Sequence, residues 1–295
     1  MFLVVLLYAI LALTFTIAKI SLEFAKPFFL VGFRMILAGG IMLLFTYFFK
    51  RNKFYIKKSD IWLFIKVAIF HIYLVYIPDI WSLQYLSSSK SNLIYSATPF
   101  IAALLSYILL KEKLKFKKFL GMLIGLAGLI PILLTQTDIR ETGMEFFSVS
   151  FPEIVLLIAV ISGAYAWFIV KKLLDKGYSL LMINGFSMLL GGFWALITAF
   201  FVEGINKNSI FDFWPFLGWT LLLIFVANIV FYNFYGWLLK RYSITFVTSA
   251  GFLSPVFGAF YGYFFLSETI SWHYYVSLIA IIIGLFVFYR EERSK

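Results

Sequence analysis

Apolar and polar positions occur in long blocks along this chain. Apolar runs follow one another from end to end, with short polar stretches between them. A helix of about 20 residues crosses the roughly 30 Å hydrocarbon core of a bilayer, so each run predicts a membrane-spanning helix. The pattern predicts ten spans, at about residues 2–20, 28–49, 61–82, 91–110, 119–134, 152–170, 180–202, 214–238, 245–265 and 272–289.

Composition supports this interpretation. The 295 residues are 63% apolar and 13% charged, whereas a soluble domain is nearer to half apolar and a quarter charged. The polar stretches are too short for a separate soluble domain. The first apolar run starts at Phe2 with no basic segment before it, which indicates a retained helix and not a cleaved signal peptide. The chain is therefore predicted to be a polytopic helical membrane protein.

The distribution of basic residues predicts the orientation. With the N-terminus in the cytoplasm, the cytoplasmic segments carry 18 Lys and Arg residues and the opposite side carries 4. Basic loops resist translocation, so this bias places both termini in the cytoplasm. The net charge of +11 is thus explained by topology, and we predict no nucleic-acid partner. The predicted location is a bacterial-type inner (cytoplasmic) membrane.

A repeat divides the chain into two halves. At an offset of 156 residues, matched positions share unusual residue types, and a second block aligns at an offset of 152. The matched pairs include Tyr76 with Tyr232, Trp81 with Trp237, Leu83 with Leu239, Pro99 with Pro255, Glu112 with Glu268, and Lys19 with Lys171. The repeats are assigned to residues 1–138 and 152–295.

The second repeat enters the membrane from the other side, because five spans per repeat is an odd number. Loop charge agrees: "KEKLKFKK" after the fourth span is basic, while its counterpart "LSETISWH" after the ninth span has no lysine. The predicted fold class is an all-α membrane protein with ten transmembrane helices in two inverted five-helix repeats. Two halves related in this way suit alternating access, in which a central site opens to one side and then to the other.

Several motifs resemble the drug/metabolite transporter superfamily of the EamA type. The first half carries Lys19, Pro27 and Arg34 where that family has a first-helix lysine, a proline and an arginine opening the second helix. "SATPFIAALLSYILLKEKL" and "LSPVFGAFYGYFFLSETI" resemble its signature closing the fourth and ninth spans, and "GMLIGLAGLI" resembles its glycine-rich fifth span. The resemblance implies secondary transport of small metabolites, often amino acids or nucleotide-type solutes.

Polar groups inside the spans are the candidate functional residues, since such groups are costly in hydrocarbon. His71 lies near the middle of the third span, where it is a candidate for binding substrate or for coupling, or alternatively a hydrogen-bonded helix contact. Asp79 follows Pro78 near the outer end of the third span. It is the second candidate for coupling, or alternatively it lies at a helix end that is exposed to water. Lys66 is interpreted as snorkelling.

The eighth span supplies the other substrate candidates. At 3.6 residues per turn, Asn228, Tyr232 and Tyr235 fall on one helix face, which is predicted to line a cavity or to join helices. Because the third and eighth spans are inverted partners, Tyr76 is predicted to face Tyr232. Asn92 in the fourth span is a further substrate-binding candidate.

Two other groups are interpreted structurally. Lys19 and Arg34 flank the first outer loop, where snorkelling or an ion pair with Glu23 is favoured over substrate contact. The spaced glycines Gly121 and Gly125 permit close helix contact. The favoured interpretation is that these glycines pack against another helix within the same protein, and a homodimer contact is the alternative.

These features favour a secondary active transporter of a small metabolite, driven by protons or by exchange. The alternative is a passive channel or facilitator for a small solute. An enzyme is disfavoured, because we find no nucleophile–base motif, no cysteine, no metal-ligand cluster and no GxxxxGK[ST] loop. No cofactor and no metal are predicted. Amino acids, nucleotide-like cofactors such as S-adenosylmethionine, and lipophilic cations all remain open as substrates.

Overall fold

The backbone is almost entirely helical in the part of the chain that the structure describes. A computed structural model describes residues 2–86, 91, 94–111, 115–128, 150–206, 209–266 and 272–293. Within these ranges, seven helices are long and apolar enough to cross a membrane, and shorter apolar helices cover Thr98–Leu110 and Leu278–Phe288. The predicted class, an all-α membrane protein, is confirmed.

The main α-helices of the first half, within the described residues, lie in the five predicted spans. They are α1 (Phe2–Ser21), α2 (Pro27–Phe49), α3 (Ile61–Val67), α4 (Leu74–Leu83), α5 (Thr98–Leu110) and α6 (Phe116–Ala127). A π-helical segment, Ala68–Tyr73, joins α3 to α4 and makes them one continuous third span. Short 3-10 helices at Arg51–Lys53 and Lys58–Asp60 lie in the connection before α3.

The second half follows the same order. Its helices are α7 (Phe151–Asp175), α8 (Leu180–Val202), α9 (Phe213–Leu223), α10 (Tyr232–Leu239), α11 (Ile244–Ser249), α12 (Ser254–Leu266) and α13 (Trp272–Arg293). The π-helical segment Ile224–Phe231 joins α9 to α10 in the eighth span, and a 3-10 turn, Ala250–Leu253, joins α11 to α12 in the ninth. The predicted residues Glu112 and Glu268 lie outside the described residues, as does most of the connection between the halves.

Local sequence explains where several helices begin. Pro27 opens α2, at a position where a missing N–H costs nothing and the fixed φ suits a helix. The hydroxyl oxygens of Ser179 and Ser243 accept hydrogen bonds of 3.2 Å from the backbone N–H groups of Met182 and Phe246. These two serines are N-caps of α8 and α11, which satisfy N–H groups that the helix itself leaves unpaired.

Helices α2 and α8 pack closely and run in opposite directions. A Cβ atom on Gly32 would lie 2.6 Å from the Leu196 side chain, and one on Gly39 would lie 2.5 Å from the Leu189 backbone nitrogen. Residue numbers rise along α2 while those of its partners fall along α8. Since α2 and α8 are counterparts in the repeat, their antiparallel packing is what an inverted repeat requires.

The fifth and tenth spans show the same relationship. A Cβ on Gly121 would lie 2.7 Å from the Gly284 carbonyl oxygen, and one on Gly128 would lie 3.0 Å from the Ala280 side chain. Helices α6 and α13 therefore touch backbone to backbone and also run antiparallel. The spaced glycines of the fifth span serve packing within the chain, which was the favoured interpretation of the sequence.

Loops from the two halves meet at both faces of the bundle. At the face opposite the N-terminus, the backbone N–H of Lys26 donates a hydrogen bond of 3.0 Å to the carbonyl oxygen of Ser209. The backbone N–H of Phe211 donates one of 2.8 Å to the carbonyl oxygen of Phe24. The Glu203 carboxylate, just after α8, accepts hydrogen bonds from the first backbone N–H groups of α2. This face of the α2–α8 pair is therefore held by main-chain pairing and by a helix cap.

A different contact holds the N-terminal face. Gly177 adopts a positive φ of 87° and turns the chain after α7, a conformation that glycine allows at little cost. Lys176 and Tyr178 on either side then reach Asp60, the first by an ion pair and the second by a hydrogen bond of 2.8 Å. Burial and the neighbouring Asp60 raise the pKa of the Tyr178 hydroxyl.

Candidate functional site

A cavity of about 100 Å³ lies inside the bundle, between the two halves. The first, second, third, sixth, eighth and ninth spans contribute to its wall, together with Tyr95 and Thr98 at the start of the fourth span. Counterpart spans from the two repeats therefore surround one space. This is the arrangement that a central transport site between inverted repeats needs.

Aromatic rings form one wall of this cavity. Trp167 of α7 stacks on Tyr235 of α10, with ring centroids 3.7 Å apart and planes at 10°. The ring centroid of His71 lies 4.3 Å from that of Trp167 and 4.8 Å from that of Tyr232. The ring centroids of Tyr76 and Tyr232 are 6.3 Å apart, and the angle between the two ring planes is 27°. The third and eighth spans thus place their matched tyrosines face to face, as the repeat predicts.

His71 is buried, with 2% of its surface exposed. It lies in the π-helical segment of the third span, and its backbone carbonyl accepts a hydrogen bond of 3.3 Å from the Tyr232 hydroxyl. Among the described residues, its ring nitrogen Nδ1 has no hydrogen-bond partner. A buried imidazole with an unsatisfied nitrogen in a cavity wall offers one donor or acceptor to a bound solute.

Arg34 also lines the cavity, and sequence reasoning missed this. Its side chain is 2% exposed, and its guanidinium carbon lies 4.6 Å from the centre of the Tyr76 ring. In the described part of the chain, its Nε and Nη2 atoms have no hydrogen-bond partner. The expected snorkelling or pairing with Glu23 is therefore wrong for Arg34, because its position two turns into α2 faces the interior.

Asp79 lines the same cavity. It is buried, and its Oδ1 atom has no hydrogen-bond partner among the described residues. The hydroxyl of Tyr95 interacts with the carboxylate. Pro78 precedes it inside α4, and a proline there removes a backbone hydrogen bond and distorts the helix. Asp79 is thus a cavity residue, and not a group at a wet helix end.

Asn228 does not belong to the cavity lining that the described residues form. Its side chain is fully buried, and its Nδ2 atom lies 3.2 Å from the sulfur of Met35 and 3.7 Å from that of Met188. Asn228 falls in the π-helical segment Ile224–Phe231, where each turn takes up more residues than in an α-helix. The 3.6-residue spacing that put it on the face of Tyr232 and Tyr235 therefore does not hold.

The remaining predicted residues are placed as follows. Asn92 lies outside the described residues. Lys66 lines another cleft, of about 430 Å³, between the third, fourth, sixth and ninth spans, together with Lys171, Lys172 and Asp175. This cleft is on the N-terminal face, beyond the aromatic wall. Trp167, Tyr8 and Tyr95 also line the central cavity, and nothing in the sequence distinguished them from the many other aromatic residues.

The cavity combines a cationic group, an acidic group, phenolic hydroxyls and flat rings. This set suits non-covalent binding of a polar solute with an apolar or aromatic part. Among the described residues, no group of three or more His, Cys, Asp or Glu residues is placed to hold a metal ion.

Comparison with known families decides the class of protein. The EamA-like transporter family matches residues 1–134 and 150–290, almost the whole chain. The chain belongs to the EamA-like transporter family. This EamA-family protein is therefore an integral membrane protein.

Two relatives from Chlamydia are the most informative. The S-adenosylmethionine/S-adenosylhomocysteine transporter of Chlamydia muridarum is 29% identical over 283 residues, covering 95% of this chain and 88% of the relative. The protein of the same name from Chlamydia trachomatis serovar L2 is 30% identical, covering 95% and 85%. The uncharacterized transporter YetK of Bacillus subtilis is 24% identical, covering 95% and 83%.

A solved crystal structure shares the fold of this EamA-family protein. The two superpose with a TM-score of 0.70 at 17% sequence identity, covering 99% of this chain and 96% of the other. At this level of identity the likeness concerns the fold alone.

Proposed function

We propose that this protein is a secondary transporter that moves an S-adenosylmethionine-like metabolite across the cytoplasmic membrane by alternating access. Exchange for a related solute, or a proton gradient, drives the movement. In this proposal residues 1–138 and 152–295 are the two inverted repeats, and both termini are cytoplasmic.

One observation carries the proposal: a buried cavity between the counterpart spans, lined by Arg34, Asp79 and a group of aromatic side chains. Families of ten-helix transporters place their substrate between inverted halves. The names of the two Chlamydia relatives support a solute that carries charged groups and a flat base. The cavity chemistry is compatible with such a solute.

The cavity must widen when substrate binds. Its volume of about 100 Å³ is below the roughly 300–1,000 Å³ typical of small-molecule sites. The contacts at both faces of the α2–α8 pair are in place in this structure. We therefore interpret it as an arrangement in which the central site is smaller than a nucleoside requires.

The proposed binding residues are His71, Tyr76, Tyr232 and Tyr235, with Arg34 and Trp167 added by their position in the cavity. His71 and Asp79 are the proposed coupling groups. A buried carboxylate or imidazole that holds a proton when the site is empty, and interacts with substrate when it is full, links the two movements.

The test uses purified protein in liposomes. Radiolabelled S-adenosylmethionine is added outside liposomes that contain unlabelled S-adenosylhomocysteine, or buffer alone, with and without an imposed pH gradient. We expect saturable uptake that internal S-adenosylhomocysteine accelerates, or that the pH gradient drives. Liposomes without protein provide the background.

Two outcomes would contradict the proposal. Uptake that rises linearly with concentration and ignores both internal solute and pH gradient would indicate the alternative, a passive channel. No uptake of S-adenosylmethionine under any of these conditions, by protein that is folded by circular dichroism and monodisperse by gel filtration, would exclude this substrate.

A further inference from the structure

Buried polar atoms without partners are concentrated at the central cavity. Nine residues in the described part of the chain have such atoms, and four of them line the cavity: Arg34, His71, Asp79 and Ser254. An unsatisfied polar group costs free energy in a membrane interior unless something binds to it. The position of these groups therefore points to a ligand that completes their hydrogen bonds.

The Arg34 guanidinium is positioned to bind an anion. The Tyr76 ring covers one face of it, with the guanidinium carbon 4.6 Å from the ring centre. This contact holds the group in place but satisfies no N–H. Two nitrogen atoms, Nε and Nη2, remain without partners among the described residues. Adjacent N–H groups of a planar guanidinium match the two oxygens of a carboxylate.

The Asp79 carboxylate provides the opposite pole. It is close enough to Arg34 for their charges to interact, yet Nε and Nη2 of Arg34 are left without a hydrogen-bond partner among the described residues. Oδ1 of Asp79 faces no protein donor in the described residues. Two opposite charges that share a cavity without pairing leave room for a ligand between them.

We propose that Arg34 and Asp79 form a two-pole site for a zwitterion, and that the rings of Tyr76 and Tyr232 hold a flat group attached to it. Arg34 binds the carboxylate of the ligand and Asp79 binds its ammonium or sulfonium group. The ligand class is an amino acid joined to an aromatic base, of which the adenosyl amino acids are examples. This assignment rests on the proposed function, because it places the transported solute in this cavity.

The position of the rings supports the third element. Tyr76 and Tyr232 come from opposite halves and lie 27° from parallel, with centroids 6.3 Å apart. Tyr76 also touches Arg34, so a ring held at this pair lies next to the charged poles. Stacking of a base on an aromatic side chain contributes affinity without requiring a particular hydrogen-bond pattern.

The experiment removes each charged group from the protein, and removes first the carboxylate and then all charged groups from the ligand. The ligands are S-adenosylmethionine, its decarboxylated form, and 5′-methylthioadenosine, which lacks the amino-acid part. Binding to wild type, Arg34→Gln and Asp79→Asn is measured by isothermal titration calorimetry in detergent. Arg34→Lys keeps the charge but loses the paired N–H geometry.

We expect Arg34→Gln and decarboxylation each to weaken binding by about 10- to 100-fold. Applied together, they cause no further loss, because both remove the same contact. Asp79→Asn weakens binding of the charged ligands by a similar factor. Both variants bind 5′-methylthioadenosine within about threefold of wild type, since that ligand carries neither charge.

Thr220→Val is the matched control. Its hydroxyl is also buried without a partner, but it does not line the cavity, so all three affinities are expected to stay unchanged. Independent losses for Arg34→Gln and decarboxylation would overturn the proposal. So would variants that weaken 5′-methylthioadenosine as much as S-adenosylmethionine. If Arg34→Gln does not fold, the same comparison is made with Arg34→Lys.

Failure of the proposed substrate is distinguishable from failure of the two-pole site. If wild type binds no adenosyl ligand, tryptophan and tryptamine replace the intact and decarboxylated ligands. Binding of tryptophan that depends on Arg34 and on the carboxylate would retain the two-pole site and reject the adenosyl substrate. If none of these zwitterions binds to wild type, both proposals are wrong.

Discussion

The ammonium group of Lys19 donates a hydrogen bond of 2.5 Å to the carbonyl oxygen of Leu83. Lys19 lies near the end of α1, and Leu83 is the last residue of α4. In the other half, Lys171 near the end of α7 donates a bond of 2.9 Å to Leu239, the last residue of α10. Lys19 matches Lys171 in the repeat, and Leu83 matches Leu239. Each half therefore has a lysine that donates to the C-terminal residue of its equivalent helix, α4 in the first half and α10 in the second.

Replacing either lysine by methionine is expected to lower stability by about 1–2 kcal/mol, because carbonyl groups at a helix C-terminus lose a charged donor. The corresponding fall in Tm is roughly 2–3 °C for a chain of this size. The Tm of purified Lys19→Met and Lys171→Met measures the effect, with Lys53→Met, an exposed lysine, as control. Equal Tm values for all three variants and wild type would show that these contacts do not stabilise the fold.

Glu203 ties the two halves together at one end of α2. Its carboxylate oxygens accept hydrogen bonds of 2.7 and 3.0 Å from the N–H groups of Phe28 and Phe29. Glu203→Ala is expected to cost about 1–2 kcal/mol of stability, since a negative group at a helix N-terminus satisfies free N–H groups and interacts with the helix dipole. Thermal unfolding of the purified variant measures this cost.

Asp212 provides the comparison for Glu203. It precedes α9 but makes no side-chain cap hydrogen bond, and it is exposed. Asp212→Ala should therefore leave Tm within about 2 °C of wild type, in line with other surface substitutions. Equal losses in the two variants would mean that the Glu203 contact has no special role.

Two adjacent glycines in α2 test the packing of the halves. A Cβ on Gly39 would lie 2.5 Å from the backbone nitrogen of Leu189, whereas a Cβ on Gly40 would meet nothing within 4 Å. Gly39→Ala is expected to lose about 1–3 kcal/mol by forcing α2 and α8 apart. Gly40→Ala is expected to be neutral or slightly stabilising, because alanine favours helix. A Tm for Gly39→Ala equal to that of Gly40→Ala would contradict the antiparallel α2–α8 contact.

Much of the architecture could be predicted from the sequence for physical reasons. Span length follows from bilayer thickness, and loop lysines indicate which loops stay on one side. Matched residues such as Tyr76 and Tyr232 indicated which spans are counterparts, and the structure places these two rings together. These features depend on spacing and charge, which a sequence displays directly.

Parts of the site could not be predicted. In a span that is apolar on every side, the sequence does not show which face of the helix points into the bundle. Arg34 has apolar neighbours on every side of α2, so its spacing does not reveal that it faces the cavity. The π-helical segments of the third and eighth spans carry no recognisable motif. They alter the angle between successive side chains, and in this structure Asn228 packs against Met35 and Met188 and does not line the cavity.

His71 and Asn228 separate a binding role from a packing role. His71 lines the cavity, whereas Asn228 is fully buried against the sulfurs of Met35 and Met188. His71→Ala is expected to weaken binding of S-adenosylmethionine by roughly 10-fold, because the ring contacts at the wall are worth about 1 kcal/mol or more. Asn228→Leu keeps a similar volume and removes an amide oxygen that has no partner among the described residues. Its affinity should therefore stay within about threefold, and its Tm should fall by no more than about 2 °C. Calorimetric Kd and thermal unfolding on both variants make the comparison.

Loss of affinity in Asn228→Leu with an unchanged Tm would return Asn228 to the binding surface, and unchanged affinity in His71→Ala would remove His71 from it.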